Sequence, residues 1–176
     1  MKRITQLSCL LFVSLFIISC SKDDDDKKSE VFSNTMEYDG VTSVINEALI
    51  EDYGDNGEGY YNYDFILTGT TTEGAVFYFY VELYSKGIES FKIGTFEYYN
   101  NGEETTEELP NYYYTYADFA DEDNDEYYQV ETGNIKVSGS GTNFSISGDL
   151  TLDNGEVVKI SYKGEFSIED ETDNEF

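Results

Sequence analysis

Tyrosines and carboxylates are the residues of this sequence whose types and spacing can do chemistry. Tyr112, Tyr113, Tyr114 and Tyr116 follow Pro110, and Tyr127 and Tyr128 follow the next acidic stretch. A tyrosine offers a flat apolar ring and a hydroxyl, which suits stacking on a sugar ring or on a peptide while holding a hydrogen bond. The same ring also fits the half-buried face of a sheet. With 17 Tyr in the chain, a structural role is the plainer expectation for many of them, and the lack of Trp weakens the sugar-binding case. Between the two clusters lie Asp118 and then Asp121-Glu122-Asp123-Asn124-Asp125-Glu126. Oxygen ligands at Asp121, Asp123 and Asp125 suit Ca²⁺, a hard cation that takes six to eight oxygens. The stretch departs from an EF-hand: Glu126 stands at the turn glycine and Thr132 where the bidentate Glu belongs. What remains is a looser calcium site on a β-loop, set against an ordinary solvated acidic loop.

Absences narrow the chemistry further. The chain has no His, its one Arg is Arg3, and its cysteines are Cys9 and Cys20. A Ser-His-Asp triad, a Cys-His pair and a His-ligated metal are therefore excluded, as is bidentate Arg recognition of phosphate beyond the extreme N-terminus. Carboxylate-pair glycoside hydrolysis stays open, because it needs only two Asp/Glu flanking a cleft. Among 37 acidic residues the sequence singles out no such pair. A net charge of −27 repels phosphate backbones and argues against nucleic-acid partners.

The elements that must position these groups read as β-strands. From Ala75 to Tyr84 the odd positions Ala75, Phe77, Phe79, Val81 and Leu83 form an apolar face. The even positions Val76, Tyr78, Tyr80, Glu82 and Tyr84 form a tyrosine ladder on the other, as two-residue alternation requires. Tyr60 to Thr68 repeats the pattern, with Tyr61, Tyr63, Phe65 and Leu67 opposed by Asn62 and Asp64 as its polar side. Ile135 and Val137 share a face. Phe144, Ile146, Leu150 and Leu152 share another, the Asp153-Asn154-Gly155 turn follows, and Val158, Ile160, Tyr162 and Phe166 return. Asn and Gly tolerate the positive φ of such a hairpin. Residues 41–53 are ambiguous: Val41, Val44, Ile45, Ala48 and Leu49 fall at helical spacing, with Gly54 placed to close a helix. The Asp39-Gly40 turn, and the need for a strand beside Thr35 to Tyr38, favour strand. The expected fold is all-β, an antiparallel β-sandwich or closed β-barrel of about eight to ten strands.

The N-terminus sets an expected address. Lys2 and Arg3 precede 13 mostly apolar residues from Leu7 to Ser19, too few to span a bilayer and of the form of a removable export signal. Ile17-Ile18-Ser19-Cys20 reads as a lipobox, with residues 1–19 as signal peptide and Cys20 as the lipid attachment point. Residues 20–34 form an acidic tether that cannot bury apolar surface. Residues 35–170 form a single β-domain and 171–176 an acidic tail. The tract Cys20-Ser21-Lys22-Asp23-Asp24-Asp25-Asp26 resembles the lipobox and acidic export tract of uncharacterised surface-exposed lipoproteins of the Bacteroidota. Gly133-Asn134-Ile135-Lys136-Val137-Ser138, Phe144-Ser145-Ile146, Leu150 to Gly155 and Tyr162-Lys163-Gly164 resemble their closing strands, and Glu51 to Gly54 and Gly94-Thr95-Phe96 also fit their pattern. The resemblance implies an outer-membrane, lipid-anchored protein on the cell surface and carries no activity or site residues with it.

Together these features lead to the expectation of a non-enzymatic surface module that binds a glycan or protein ligand, with Tyr112, Tyr113, Tyr114 and Tyr116 as candidate contacts. A structural or assembly component of the cell envelope is the first alternative, and a carboxylate-dependent glycoside hydrolase the second.

Overall fold

A computed structural model describes residues 31–100 and 108–173. The expected signal peptide, the lipidated Cys20 and most of the acidic tether lie outside the described residues. Eleven strands follow in order: β1 (Thr35–Tyr38), β2 (Val41–Asp55), β3 (Tyr60–Thr71), β4 (Val76–Lys86), β5 (Gly94–Tyr98), β6 (Tyr112–Tyr114), β7 (Ala117–Asp121), β8 (Glu126–Ser140), β9 (Asn143–Leu152), β10 (Val157–Glu165) and β11 (Ser167–Asp170). One 3₁₀ turn, Glu122–Asn124, joins β7 to β8. The described residues contain no α-helix, and the all-β expectation holds.

The strands form one sheet that closes on itself. The path runs β1-β10-β9-β8-β5-β6-β4-β3-β2-β11, β7 bridges β4 and β8, and β1 also pairs with β2. The β1–β2 pairing completes a hydrogen-bonded ring, and closure leaves few unpaired edges to template aggregation. Two positions are shared between segments. Between β4 and β8, β7 pairs with Phe77 to Val81 on one side and with Glu126 to Gln129 on the other. Farther along the same gap, β6 pairs with Tyr84 and Ser85, and β5 pairs with Asn134 to Val137. Beside β2, β1 occupies the first stretch and β11 the second.

The sheet is mixed rather than wholly antiparallel: β11 runs parallel to β2, and β5 parallel to β6. Both exceptions have a local cause. β11 continues the direction of β10 past Phe166 and slides into the place that β1 vacates. β5 and β6 are joined by the long connection from Tyr99 to Asn111, the kind of crossover a parallel pair needs.

Residues 41–53 are strand, and β2 explains its own helix-like spacing. Its ladder with β3 shifts register between Ile45 and Glu47 and again between Asp52 and Gly54. Asn46 is the extra residue of the first bulge, so inward positions pass from Ser43 and Ile45 to Ala48 and Ile50. A bulge turns a two-residue alternation into an apparent step of three. Gly54 closes no helix; it lies at the second bulge with φ of 74°.

The core fills the ring. Phe77, Phe79, Val81 and Leu83 of β4 are buried, with Phe65, Leu67, Phe96, Phe119, Ile135, Leu150 and Phe166 around them. Phe65 contacts Phe91, Phe144 and Phe166 with ring centroids at 5.9, 6.0 and 5.4 Å, and the last two meet it edge to face, a favoured aromatic geometry. At the β1–β2 hairpin, Asp39 and Gly40 both have positive φ, 46° and 75°, as a two-residue turn of the primed type demands. Asn62 and Asp64 lie opposite Phe65 and Leu67, as the alternation predicts, on the outer face of the ring, and both are buried there. Tyr60, on the same face, is also buried and donates from its hydroxyl to the Leu109 carbonyl at 3.2 Å. Leu109, just before β6, therefore lies beside this end of the outer face.

Candidate functional site

The outer faces of β2, β3, β4, β6 and β7 carry the tyrosines and a row of acids. Cross-strand register sets Glu51 opposite Asp64, and Asp64 opposite Glu82, so three carboxylates stand side by side across three strands. Like charges directly opposite destabilise a sheet, and here hydroxyl and amide donors offset the repulsion. Asn62 Nδ2 donates to Asp64 Oδ1 at 2.9 Å, and the Tyr80 hydroxyl donates to Asp64 Oδ2. Tyr80 also reaches Glu82 Oε1 at 3.2 Å, Tyr84 donates to Glu82 Oε2 at 3.2 Å, and Tyr53 donates to Glu51 Oε2 at 3.1 Å.

Burial decides the electrostatics of this row. Asp64 is only 3% exposed, and its carboxyl is pushed up from 3.8 to about 6. Desolvation is the main cause, the neighbouring Glu82 and Glu51 add to it, and the bonds from Tyr80 and Asn62 oppose it. Tyr80 and Tyr84 are pushed well above the usual phenol range, first by burial and then by the adjacent carboxylates. Their hydroxyls are therefore fixed donors, and the orientation of each ring is tied to an acid beside it.

The ladder continues into a pocket. The Tyr84 ring stacks on Tyr113 with centroids 5.1 Å apart and 14° between planes. Tyr60 and Tyr99 meet Tyr113 edge to face at 5.1 and 5.9 Å. Tyr84, Tyr99 and Tyr113, with Asn56, Glu58 and Thr115, line an open pocket of about 240 Å³. In the other direction, Tyr80 meets Tyr116 edge to face at 5.8 Å, and the Tyr116 hydroxyl bonds Asp118.

The four tyrosines singled out from the sequence do not share one concavity. Tyr112 to Tyr114 occupy consecutive strand positions, so their side chains alternate. Tyr112 packs on Phe96 at 5.4 Å. Tyr114 is fully buried, and its hydroxyl donates to the Gly133 carbonyl at 2.9 Å. Only Tyr113 of the four lines the pocket, while Tyr116 lies farther along the outer face. The acids of the expected calcium loop also separate. Asp121 is buried at the end of β7, whereas Asp123 and Asp125 are exposed on the turn beyond it. No group of three or more acidic, His or Cys side chains is placed to hold a metal ion among the described residues.

Sequence reading missed Asp64, Glu82, Tyr99, Asn56 and Glu58 as site residues. The ladder of Tyr80 and Tyr84 was visible in the alternation of β4. The carboxylate row was not, because it exists only once the registers of β2, β3 and β4 are known. No helix among the described residues is long and apolar enough to cross a membrane. Comparison with protein-family models, curated proteins and solved structures finds no match.

Proposed function

We propose that this protein is a lipid-anchored, surface-displayed binding module that takes a neutral glycan at the tyrosine pocket. The observation that carries the reading is the pocket itself: three tyrosine rings converge beside an amide and a carboxylate. Its volume lies below the usual range for drug-sized ligands and suits a terminal sugar ring better than a protein surface. Aromatic faces stack on the C–H side of a sugar, and Glu58, Asn56 and Thr115 offer partners to its hydroxyls. The negative charge of the chain disfavours sialylated or uronate-bearing glycans, so neutral sugars are the expected ligands. Lipidation at Cys20 supplies the membrane attachment, and the acidic tether carries the domain clear of the surface.

A glycan array probed with the full-length protein and with Tyr99→Ala tests this. Neutral glycans bound by the wild type and lost in the variant support the proposal. Binding to no glycan, or binding that Tyr99→Ala leaves unchanged, overturns it. Co-purification with an envelope protein and no glycan bound favours an assembly role instead.

One observation favours a second reading. Tyr80 bridges Asp64 and Glu82 through a single hydroxyl, so two acids stand opposite each other on adjacent strands, and a retaining glycosidase needs such a close pair. Asp64, raised to about 6, is the one suited to act as acid. Its burial behind Tyr80 makes this reading second. Hydrolysis of aryl glycosides that disappears in both Asp64→Asn and Glu82→Gln would promote it.

A further inference from the structure

A second site lies at one end of the ring, on residues the tyrosine pocket does not use. There the β1–β2 turn, the β3–β4 turn and the 3₁₀ turn before β8 surround two adjoining cavities of about 480 and 460 Å³. Both are lined by Val41, Phe77, Asp121 and Asn124.

Asp121 sets the chemistry. Ala117, Phe119 and Asp121 alternate inward along β7, and register places Asp121 opposite Phe77. The residue is only 7% exposed. Asn124 Nδ2 donates to its Oδ2 at 2.8 Å, while its Oδ1 is buried and has no hydrogen-bond partner. A buried carboxylate oxygen left unpaired forfeits its hydration without recompense, so a cationic donor that reaches it is strongly favoured.

The surroundings say which cation. Tyr38 lies 4.8 Å from Phe119, 5.5 Å from Tyr128 and 6.4 Å from Phe77, centroid to centroid, and Tyr38, Phe77 and Tyr128 line the same cavity as Asp121. Glu73 lines the first cavity, and Asp39 and Glu126 the second. Among the described residues no lysine lines either cavity. A divalent metal wants six or more oxygens with several carboxylates converging, and such a group is absent among the described residues. An ammonium group needs one carboxylate and a few further acceptors, and it is attracted by aromatic faces. Thr42, Thr71 and Thr72 line the first cavity and offer hydroxyl and carbonyl oxygens.

We infer that this mouth is a binding site for a primary ammonium group, with Asp121 as its anionic anchor and the Tyr38–Phe77–Tyr128 rings as its walls. The ligand class is an alkylamine or an amine-bearing side chain, drawn in by the negative field of the chain.

Calorimetric titration of the full-length protein with propylammonium at physiological salt tests it. Saturable binding at one site is expected, weakened at least tenfold in Asp121→Asn and unchanged in Asp123→Asn, whose side chain is exposed on the same turn. Amide chemical-shift mapping on the wild type gives a readout independent of any variant's folding. Shifts confined to residues 38–42, 71–77 and 121–128 support the site. Three results overturn it: no saturable binding, binding that survives Asp121→Asn, or shifts spread over the acidic surface. Calcium that binds there and displaces propylammonium would likewise overturn it and reassign the site to a metal.

Discussion

Replacing Asp64 with asparagine changes how stability depends on pH, and the size of the change follows from the burial of that carboxyl. In the folded protein the group titrates near 6, against 3.8 for an unperturbed side chain. Between those values the native state holds a proton that the unfolded state releases, so stability falls as pH rises through the interval. At about 1.4 kcal/mol for each pH unit, the full interval corresponds to roughly 3 kcal/mol. The contribution is intact below about pH 4 and gone above about pH 6.5. The substituted amide carries no charge to desolvate, and it can still pair with Tyr80 while Tyr80 keeps its bond to Glu82. Urea unfolding of wild type and Asp64→Asn, followed by tyrosine fluorescence from about pH 4.5 to 7.5, isolates the effect because groups not coupled to Asp64 cancel in the difference. The variant is expected to gain on the wild type by about 2 kcal/mol across that range. Parallel pH profiles would refute the reasoning, since they would mean that Asp64 is ionised at low pH in the folded state.

Other outcomes follow from the same geometry. Phe65→Ala removes a buried ring that packs against three other phenylalanines and costs about 3–5 kcal/mol in urea unfolding. Gly133 has φ of 132°, and a Cβ there meets the Asp149 carbonyl oxygen at 2.7 Å. Gly133→Ala therefore destabilises by roughly 1–3 kcal/mol, read as a lower melting temperature. Tyr114→Phe leaves the Gly133 carbonyl without its donor and costs about 1 kcal/mol. Cys20→Ser removes the proposed lipid attachment point and is expected to move the protein from the membrane fraction to the soluble one in cell fractionation.

Some of this structure was legible in the residues and some was not. The alternation of β4 announced both its buried face and its tyrosine ladder, and Asp153-Asn154-Gly155 announced the β9–β10 hairpin. Each is a local pattern that depends on one strand or one turn. The apparent helix at Val41 to Leu49 shows how a single bulge at Asn46 disguises a strand. Register was the larger obstacle. That Glu51, Asp64 and Glu82 form a row depends on three strands meeting at particular residues, and nothing within any one strand encodes it. Alternation placed Asp64 opposite Phe65 and Leu67, and nothing in β3 alone tells what covers it. It is buried because tyrosines from other strands close over that face. The tyrosine run after Pro110 misled in the opposite way. Adjacent letters suggested one cluster, yet strand geometry sends Tyr113 outward and Tyr112 and Tyr114 inward.

The most direct test of the binding proposal is hydrogen–deuterium exchange on the full-length protein with and without the best neutral glycan from the array. Slowed exchange is predicted at Asn56 to Glu58, around Tyr84 and Tyr99, and at Tyr113 to Thr115, with the barrel mouth at Asp121 unchanged. Protection elsewhere on the surface, with none at these segments, would contradict it.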